Sequence, residues 1–293
     1  MGQATAMARV LIAGCGYVGS ALGERLVADG HEVFGLKRNP VDLPEGIKPV
    51  RADLSLPETL VSLPSNIETI FYTAGAGRSD EEGYRYAYLD GMGRLLGALA
   101  DLAEKPKRIF FTSSISVYDQ RRGEWVDEES KAAPSNYRGD IMLMTERLLL
   151  AGEIPATVVR LGGIYGPGRD RLLRAVARGE VGVGSGELHY TNRIHLDDAA
   201  ACLQHLMTVE APADLYLGVD HEAAEESAVL RWLAGRLGVK LPELGDGEAK
   251  ARVRRAGSKR CRNDRLVESG YRFQFPTFRE GYEMMIRAAS DKG

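Results

Sequence analysis

Gly14, Gly16 and Gly19 make a GxGxxG spacing where the apolar run Arg9 to Ala13 (RVLIA) passes into SALGERLVADG. Glycines so placed permit a tight turn and let backbone approach a pyrophosphate, while the N-terminus of a following helix stabilises the anion. Tyr17 and Val18 lie in the same turn and join the cofactor-binding candidates. With 34 glycines in 293 residues, roughly 0.45 such matches arise by chance, so the strand-then-helix context carries the reading. A ligand-free structural turn is the bland alternative. An NAD site usually has Asp or Glu at the end of the second strand, about 20 residues on, to bind the ribose hydroxyls. Leu36 stands there, followed by Lys37 and Arg38, cations able to pair with a 2′-phosphate. NADP is therefore expected over NAD, with a solvated basic turn as the alternative. Asp53, after VRA, can accept from an adenine amino group or serve as a plain strand-end cap.

The elements that must position these residues follow from periodicity. Val18, Leu22 and Leu26 recur at helical spacing, and Gly30 is placed to close the helix. HEVFGLKR, KPVRADL, IETIFYTAG, KRIFFTSS and ATVVRLGGIYG read as further strands, with a helix over about Gly91 to Glu104. Strands alternating with helices or long crossovers through the first 165 residues predict an α/β Rossmann fold, a doubly wound parallel sheet. Past Gly166 the elements shorten, so residues 8–165 are expected to form the dinucleotide-binding domain. Residues 166–293 are expected to form a smaller C-terminal substrate lobe packed on it.

Hydrophobic residues make up 44% and charged residues 27%, which excludes collagen-like, disordered and disulfide-scaffold classes. A net charge of −3 gives no global pull toward nucleic acid or anionic membrane, and neither is expected as a partner. No apolar run is long enough to span a bilayer, and mean hydropathy is −0.22. Cys15, Cys202 and Cys261 are too few and too scattered for a disulfide framework or a zinc site. With no signal-peptide pattern in Met1 to Ala8, a cytoplasmic protein is expected.

FYTAGAG, FFTSSISVY, RLGGIYGPG and NRIHLDDAA, in this order, resemble the extended short-chain dehydrogenase/reductase family, which includes NAD(P)-dependent epimerases and dehydratases acting largely on nucleotide sugars. The resemblance runs nearly end to end. It implies a catalytic Ser114, three residues before Val117, and an active tyrosine some two dozen residues later, at Tyr137. Tyr137 would be the acid/base for a carbinol proton, and Ser114 the donor holding the oxygen as charge develops. It also implies that Ala74 and Gly75 lie beside the cofactor and that Arg160 sits at a strand end near it.

Two departures narrow this. The family pattern is YxxxK, whose lysine anchors the nicotinamide ribose, whereas this chain reads Tyr137-Arg138-Gly139-Asp140-Ile141. Position i+4 shares the tyrosine's helical face, and Arg138 at i+1 is expected to point elsewhere. Dehydratases of the family carry Thr-Asp-Glu where Ser114, Ile115 and Ser116 stand, so 4,6-dehydration is not expected. The expected activity is NADP-dependent oxidoreduction or epimerisation at a carbinol/carbonyl carbon of a small substrate, nucleotide sugars among the candidates. The rival is a dinucleotide-binding regulatory protein without turnover. The resemblance also implies a homodimer through two helices per subunit, one carrying Tyr137. His195 with Asp197 and Asp198 is read as scaffold, not metal site. Asp127 to Glu129 is read as an acidic surface turn. The basic run from Lys250 to Arg265 is either a solvated face or a contact for a substrate diphosphate or nucleic acid.

Overall fold

In the computed structural model, which describes residues 7–100, 102–184, 188–244 and 257–290, the apolar runs form a seven-stranded parallel sheet. Its strands, numbered in chain order, are β1 (Arg9–Ala13), β2 (Glu32–Lys37), β3 (Lys48–Arg51), β4 (Thr69–Tyr72), β5 (Arg108–Ser114), β6 (Ala156–Leu161) and β7 (Leu215–Gly218). Their order is β3-β2-β1-β4-β5-β6-β7. Val10, Leu11, Ile12 and Ala13 are wholly buried, as in a strand covered on both faces. β1 pairs with β2 from Arg9↔Glu32 to Ala13↔Leu36, and with β4 from Val10↔Thr69 to Ala13↔Tyr72. The chain's progress across the sheet therefore reverses beside β1, and the carboxyl ends of β1 and β4 form the crevice where such sheets bind ligands.

The helices used below are α1 (Tyr17–Ala28), α2 (Glu81–Arg85), α3 (Gly91–Ala100) and α4 (Tyr137–Leu150), with one π-helical segment, Tyr86–Asp90, joining α2 to α3. α1 buries Val18, Leu22 and Leu26, the three positions expected from their spacing.

The described residues divide into two compact units that do not follow a single cut after Tyr165. The first comprises Met1–Val117, Ala132–Arg160 and Ala200–Tyr216; the second comprises Tyr118–Lys131, Leu161–Ala199 and Leu217–Gly293. Strand pairing is the reason. Within the second unit, Glu124–Val126 runs parallel to Lys259–Cys261, and Gly163–Tyr165 runs parallel to Arg193–His195. The second unit's core gathers Tyr165, Val176, Val229, Leu233, Phe278 and Tyr282. Its last helix, Phe278–Ser290, buries Phe278, Gly281, Tyr282 and Met285 at the i, i+3, i+4, i+7 spacing of one face.

Candidate functional site

The three glycines of the first turn do three different jobs. Gly14 has φ +86°, and a Cβ there would lie 2.3 Å from the Ala74 Cα, so no side chain fits. Gly19 lets α1 pack on the sheet, since its Cβ would fall 2.6 Å from Thr73 Oγ1 and 2.9 Å from Ile12 Cγ2. Gly16 is different: the nearest atom to its Cβ would be Gly14 O at 3.8 Å, so no neighbour in the chain demands a glycine. It caps α1 without a side-chain hydrogen bond, and first-turn N–H groups have no intrahelical acceptor. A bare, exposed residue before a helix N-terminus is a cradle for an anion.

A cavity of about 930 Å³ opens from this turn. Gly14, Gly16, Ala74 and Gly75 line it, as do Leu36, Lys37, Arg38 and Asp53, and Gly77 and Arg78 also face it. Leu36 O accepts from Gly14 N and Cys15 N, both at 3.0 Å, which ties the end of β2 to the glycine turn. Lys37 donates to Asp42 Oδ1 at 2.8 Å, and this bond holds the Asp42 carboxyl below its ordinary range. Arg38 is exposed, and among the described residues no carboxylate pairs with it. Asp53 Oδ1 accepts from Ser55 N at 2.9 Å and Ser55 Oγ at 2.7 Å, the bonds of a strand-end cap. Tyr17, half-buried, and Val18, buried, belong to the first turn of α1 but do not line the cavity. Arg78, which no motif signals, faces the cavity while its guanidinium binds Asp80 at 2.7 Å and Glu82 at 3.1 Å.

Ser114 ends β5, and its Oγ accepts from Ser116 N at 3.1 Å. Tyr137 opens α4 behind the N-cap Asn136, whose Oδ1 accepts from Arg138 N at 3.1 Å and Gly139 N at 3.2 Å. A Cβ on Gly139 would lie 2.5 Å from Ser116 O, so this glycine lets α4 approach the turn after Ser114. Among the described residues no hydrogen bond joins Ser114 to Tyr137, and neither lines the cavity. The Tyr137 hydroxyl donates to Ser79 O. Ile141, in the place of the family lysine, is buried.

Two expectations need correction. Arg138 does not point away: its side chain folds back, and Nε donates to Tyr137 Oη at 3.2 Å. The i+1 spacing separates Cβ directions, but a flexible arginine stem spans the difference. Arg160 is not at the cavity wall. It is 5% exposed, with Nε 3.0 Å from Glu146 Oε1 and Nη2 2.6 Å from Glu146 Oε2. A buried guanidinium needs a carboxylate, and Glu146 on α4 supplies it.

In the second unit, His195 is wholly buried, and Asp198 accepts from Tyr271 Oη, Gln274 N and Phe275 N, a scaffold role. Among the described residues no cluster of His, Cys, Asp or Glu is arranged for a metal. The acidic turn is not all surface: Glu128 accepts from Leu217 N at 2.9 Å, and burial pushes its carboxyl above the ordinary range. Of the basic run, residues 250–256 lie outside the described residues, and Lys259 is buried with its Nζ 2.8 Å from Tyr118 O.

Among solved structures, a protein of Methylobacillus flagellatus assigned to the NAD-dependent epimerase/dehydratases superposes with TM-score 0.80 at 33% identity, covering 97% of this chain and 100% of the other. MoeE5 in complex with UDP-glucose and NAD superposes with TM-score 0.77 at 26% identity, over 97% and 99%. In sequence, dTDP-6-deoxy-L-talose 4-dehydrogenase (NAD(P)(+)) of Kitasatospora kifunensis is 35% identical over 177 residues, 56% of this chain and 55% of that one. The match thus spans about half the length of that relative. A family profile described as NAD dependent epimerase/dehydratase family matches residues 10–215, which take in the glycine turn, Ser114, Tyr137 and, but for Arg9, the first six strands of the sheet. A likeness that covers both the fold and the residues of the site is one of descent, and the chain belongs to the NAD dependent epimerase/dehydratase family.

Proposed function

We propose that this chain is an NADP-preferring oxidoreductase or epimerase acting at a carbinol/carbonyl carbon of a small substrate, with sugar nucleotides as the leading class. The sugar-nucleotide part draws on the dTDP-sugar dehydrogenase and on MoeE5 with UDP-glucose. The observation that carries the cofactor preference is Arg38. Its guanidinium borders the cavity without a carboxylate partner among the described residues, whereas Lys37 is held by Asp42 and no acid ends β2. Gly16 and the α1 N-terminus would hold the pyrophosphate, and Arg38 the 2′-phosphate. The dinucleotide, when bound, supplies or accepts the hydride. Tyr137 gives or takes the hydroxyl proton, and Ser114 Oγ steadies the reacting oxygen. Ser114, Ile115 and Ser116 offer no carboxyl pair, which argues against 4,6-dehydration. A homodimer through α3 and α4 belongs to the proposal, supported by Met144, Leu148 and Leu150 exposed on α4.

Calorimetric titration with NADPH and NADH tests the preference. NADPH should bind more tightly, and Arg38→Ala should weaken it by about 1.5–3 kcal/mol, the range for hydrogen bonds to charged groups. NADH affinity should hardly move. Tighter binding of NADH by the unmodified chain would overturn the preference. A second reading, dinucleotide binding without turnover, is favoured by the Tyr137 hydroxyl proton being engaged by Ser79 O. Binding of both redox forms with equal affinity and no turnover across an alcohol and ketone panel would select it.

A further inference from the structure

We infer that Arg138 is the positioning cation of Tyr137 and that it joins this residue to the cofactor-side loop through Ser79. The inference rests on Tyr137 being the acid/base. One guanidinium meets two oxygens: Nε is 3.2 Å from Tyr137 Oη, and Nη2 is 3.2 Å from Ser79 O. Its Cζ also lies 5.5 Å from the ring centroids of both Tyr84 and Tyr137, which meet edge-on at 5.8 Å. A fork that holds two oxygens at once while its charge lies near two aromatic rings is what arginine offers and a lysine ammonium does not.

The arrangement solves a problem that the Tyr137 hydroxyl poses. Its proton is directed at Ser79 O, so serving a substrate means leaving that carbonyl. Arg138 Nη2 remains on Ser79 O when this happens, so the carbonyl keeps a donor. In the reducing direction the carbonyl carbon of substrate gains a hydride from the reduced dinucleotide, and its oxygen gains the Tyr137 proton. The negative charge left on Tyr137 Oη forms where Arg138 Nε already points. Ser79 directly follows Gly77 and Arg78, which line the cavity, and precedes Asp80, whose carboxylate caps α2 through Gly83 N. The same clasp therefore steadies a wall of the cofactor cavity.

The experiment uses the full chain and Arg138→Ala. In the free protein, amide hydrogen exchange of Gly83 and Tyr84, whose N–H groups bond to the carboxylate and carbonyl of Asp80 next to Ser79, should speed up by about tenfold, the effect of weakening one or two modest hydrogen bonds. With a dTDP-linked 4-ketohexose and NADPH, kcat should fall by at least tenfold while KM and NADPH affinity stay within twofold. Ethylguanidinium at millimolar concentration should restore part of kcat in Arg138→Ala and none in Tyr137→Phe. Unchanged exchange overturns the inference whether or not turnover is found. Faster exchange with unchanged kcat, where Tyr137→Phe is impaired, also overturns the positioning role. If Tyr137→Phe turns over normally, the acid/base reading fails instead, and the exchange result alone decides whether the clasp exists.

Discussion

Two buried arginines, each beside a carboxylate, are handled differently by the two units of this protein. In the first, Arg160 binds Glu146 through two parallel hydrogen bonds, and Ser113 Oγ donates to the same carboxylate at 2.5 Å. In the second, Arg193 Nη2 reaches Thr191 Oγ1 at 2.6 Å, but Nη1 has no hydrogen-bond partner among the described residues. Asp220 is as deeply buried. Its Oδ1 accepts from Glu222 N at 3.1 Å, and among the described residues its Oδ2 has no hydrogen-bond partner, nor has the hydroxyl of Tyr165. Residue type and depth are alike, so geometry makes the difference. Where a fork meets a carboxylate face to face, attraction offsets the loss of hydration; where it does not, the acid takes a proton. Burial pushes Asp220 up to about 8, against the opposing pull of Arg193 and the Glu222 amide; Glu222 and Asp198 push the same way as burial. Tyr165 and Tyr282 complete its surroundings.

The contrast can be broken most forcefully at Arg160. Arg160→Ala leaves Glu146 buried without its partner and should cost about 3–5 kcal/mol in urea unfolding. A loss below about 1 kcal/mol would mean that the paired centre is no better matched than the unpaired one.

Next comes the pH dependence of the second centre. With a folded-state value raised from 3.8 to about 8, Asp220 binds more protons in the folded than in the unfolded chain between those limits. Its contribution is therefore fully present below pH 4 and lost as pH rises to 8. From pH 5 to 7 this amounts to about 2–3 kcal/mol, at about 1.4 kcal/mol per unit. Asp220→Asn should remove that slope, measured as the difference between the two unfolding curves. A slope unchanged by the substitution would sink the assignment. The smallest effect sharpens the first centre: Ser113→Ala removes one hydrogen bond to a charged carboxylate and should cost about 1.5 kcal/mol. A neutral result would leave the Arg160 fork alone responsible for the pairing.

What could be read from the chain before folding follows a pattern. The glycine turn was legible because its requirements are local: a positive φ at Gly14, a close strand-helix approach at Gly19 and a bare cap at Gly16 sit within six residues. The same holds for α1 and the buried strands, whose periodicity reports burial directly. Arg78 gave no such signal, because a lone arginine on a loop looks the same whether it borders solvent or a cavity. Asp53 left two readings open, and its Ser55 bonds realise the cap without removing it from the cavity wall.

The amino-acid order by itself determined the parallel sheet, the anion-binding turn and the absence of an acid at the end of β2, since each depends on neighbours within a turn or a strand. It also placed Ile141 where the family lysine stands. Tertiary structure alone decided what the long charged side chains do. Arg138 folds back onto Tyr137 because Ser79, 59 positions earlier in the chain, offers a second oxygen. Arg160 turns inward because Glu146 on α4 is there to receive it. Arg193 and Asp220 meet through a backbone bond, Asp220 N to Arg193 O at 2.7 Å, that leaves Arg193 Nη1 and Asp220 Oδ2 without hydrogen-bond partners among the described residues. A guanidinium on a flexible stem has many partners within reach, and only the packed chain determines which carboxylate or carbonyl is close enough to hold it.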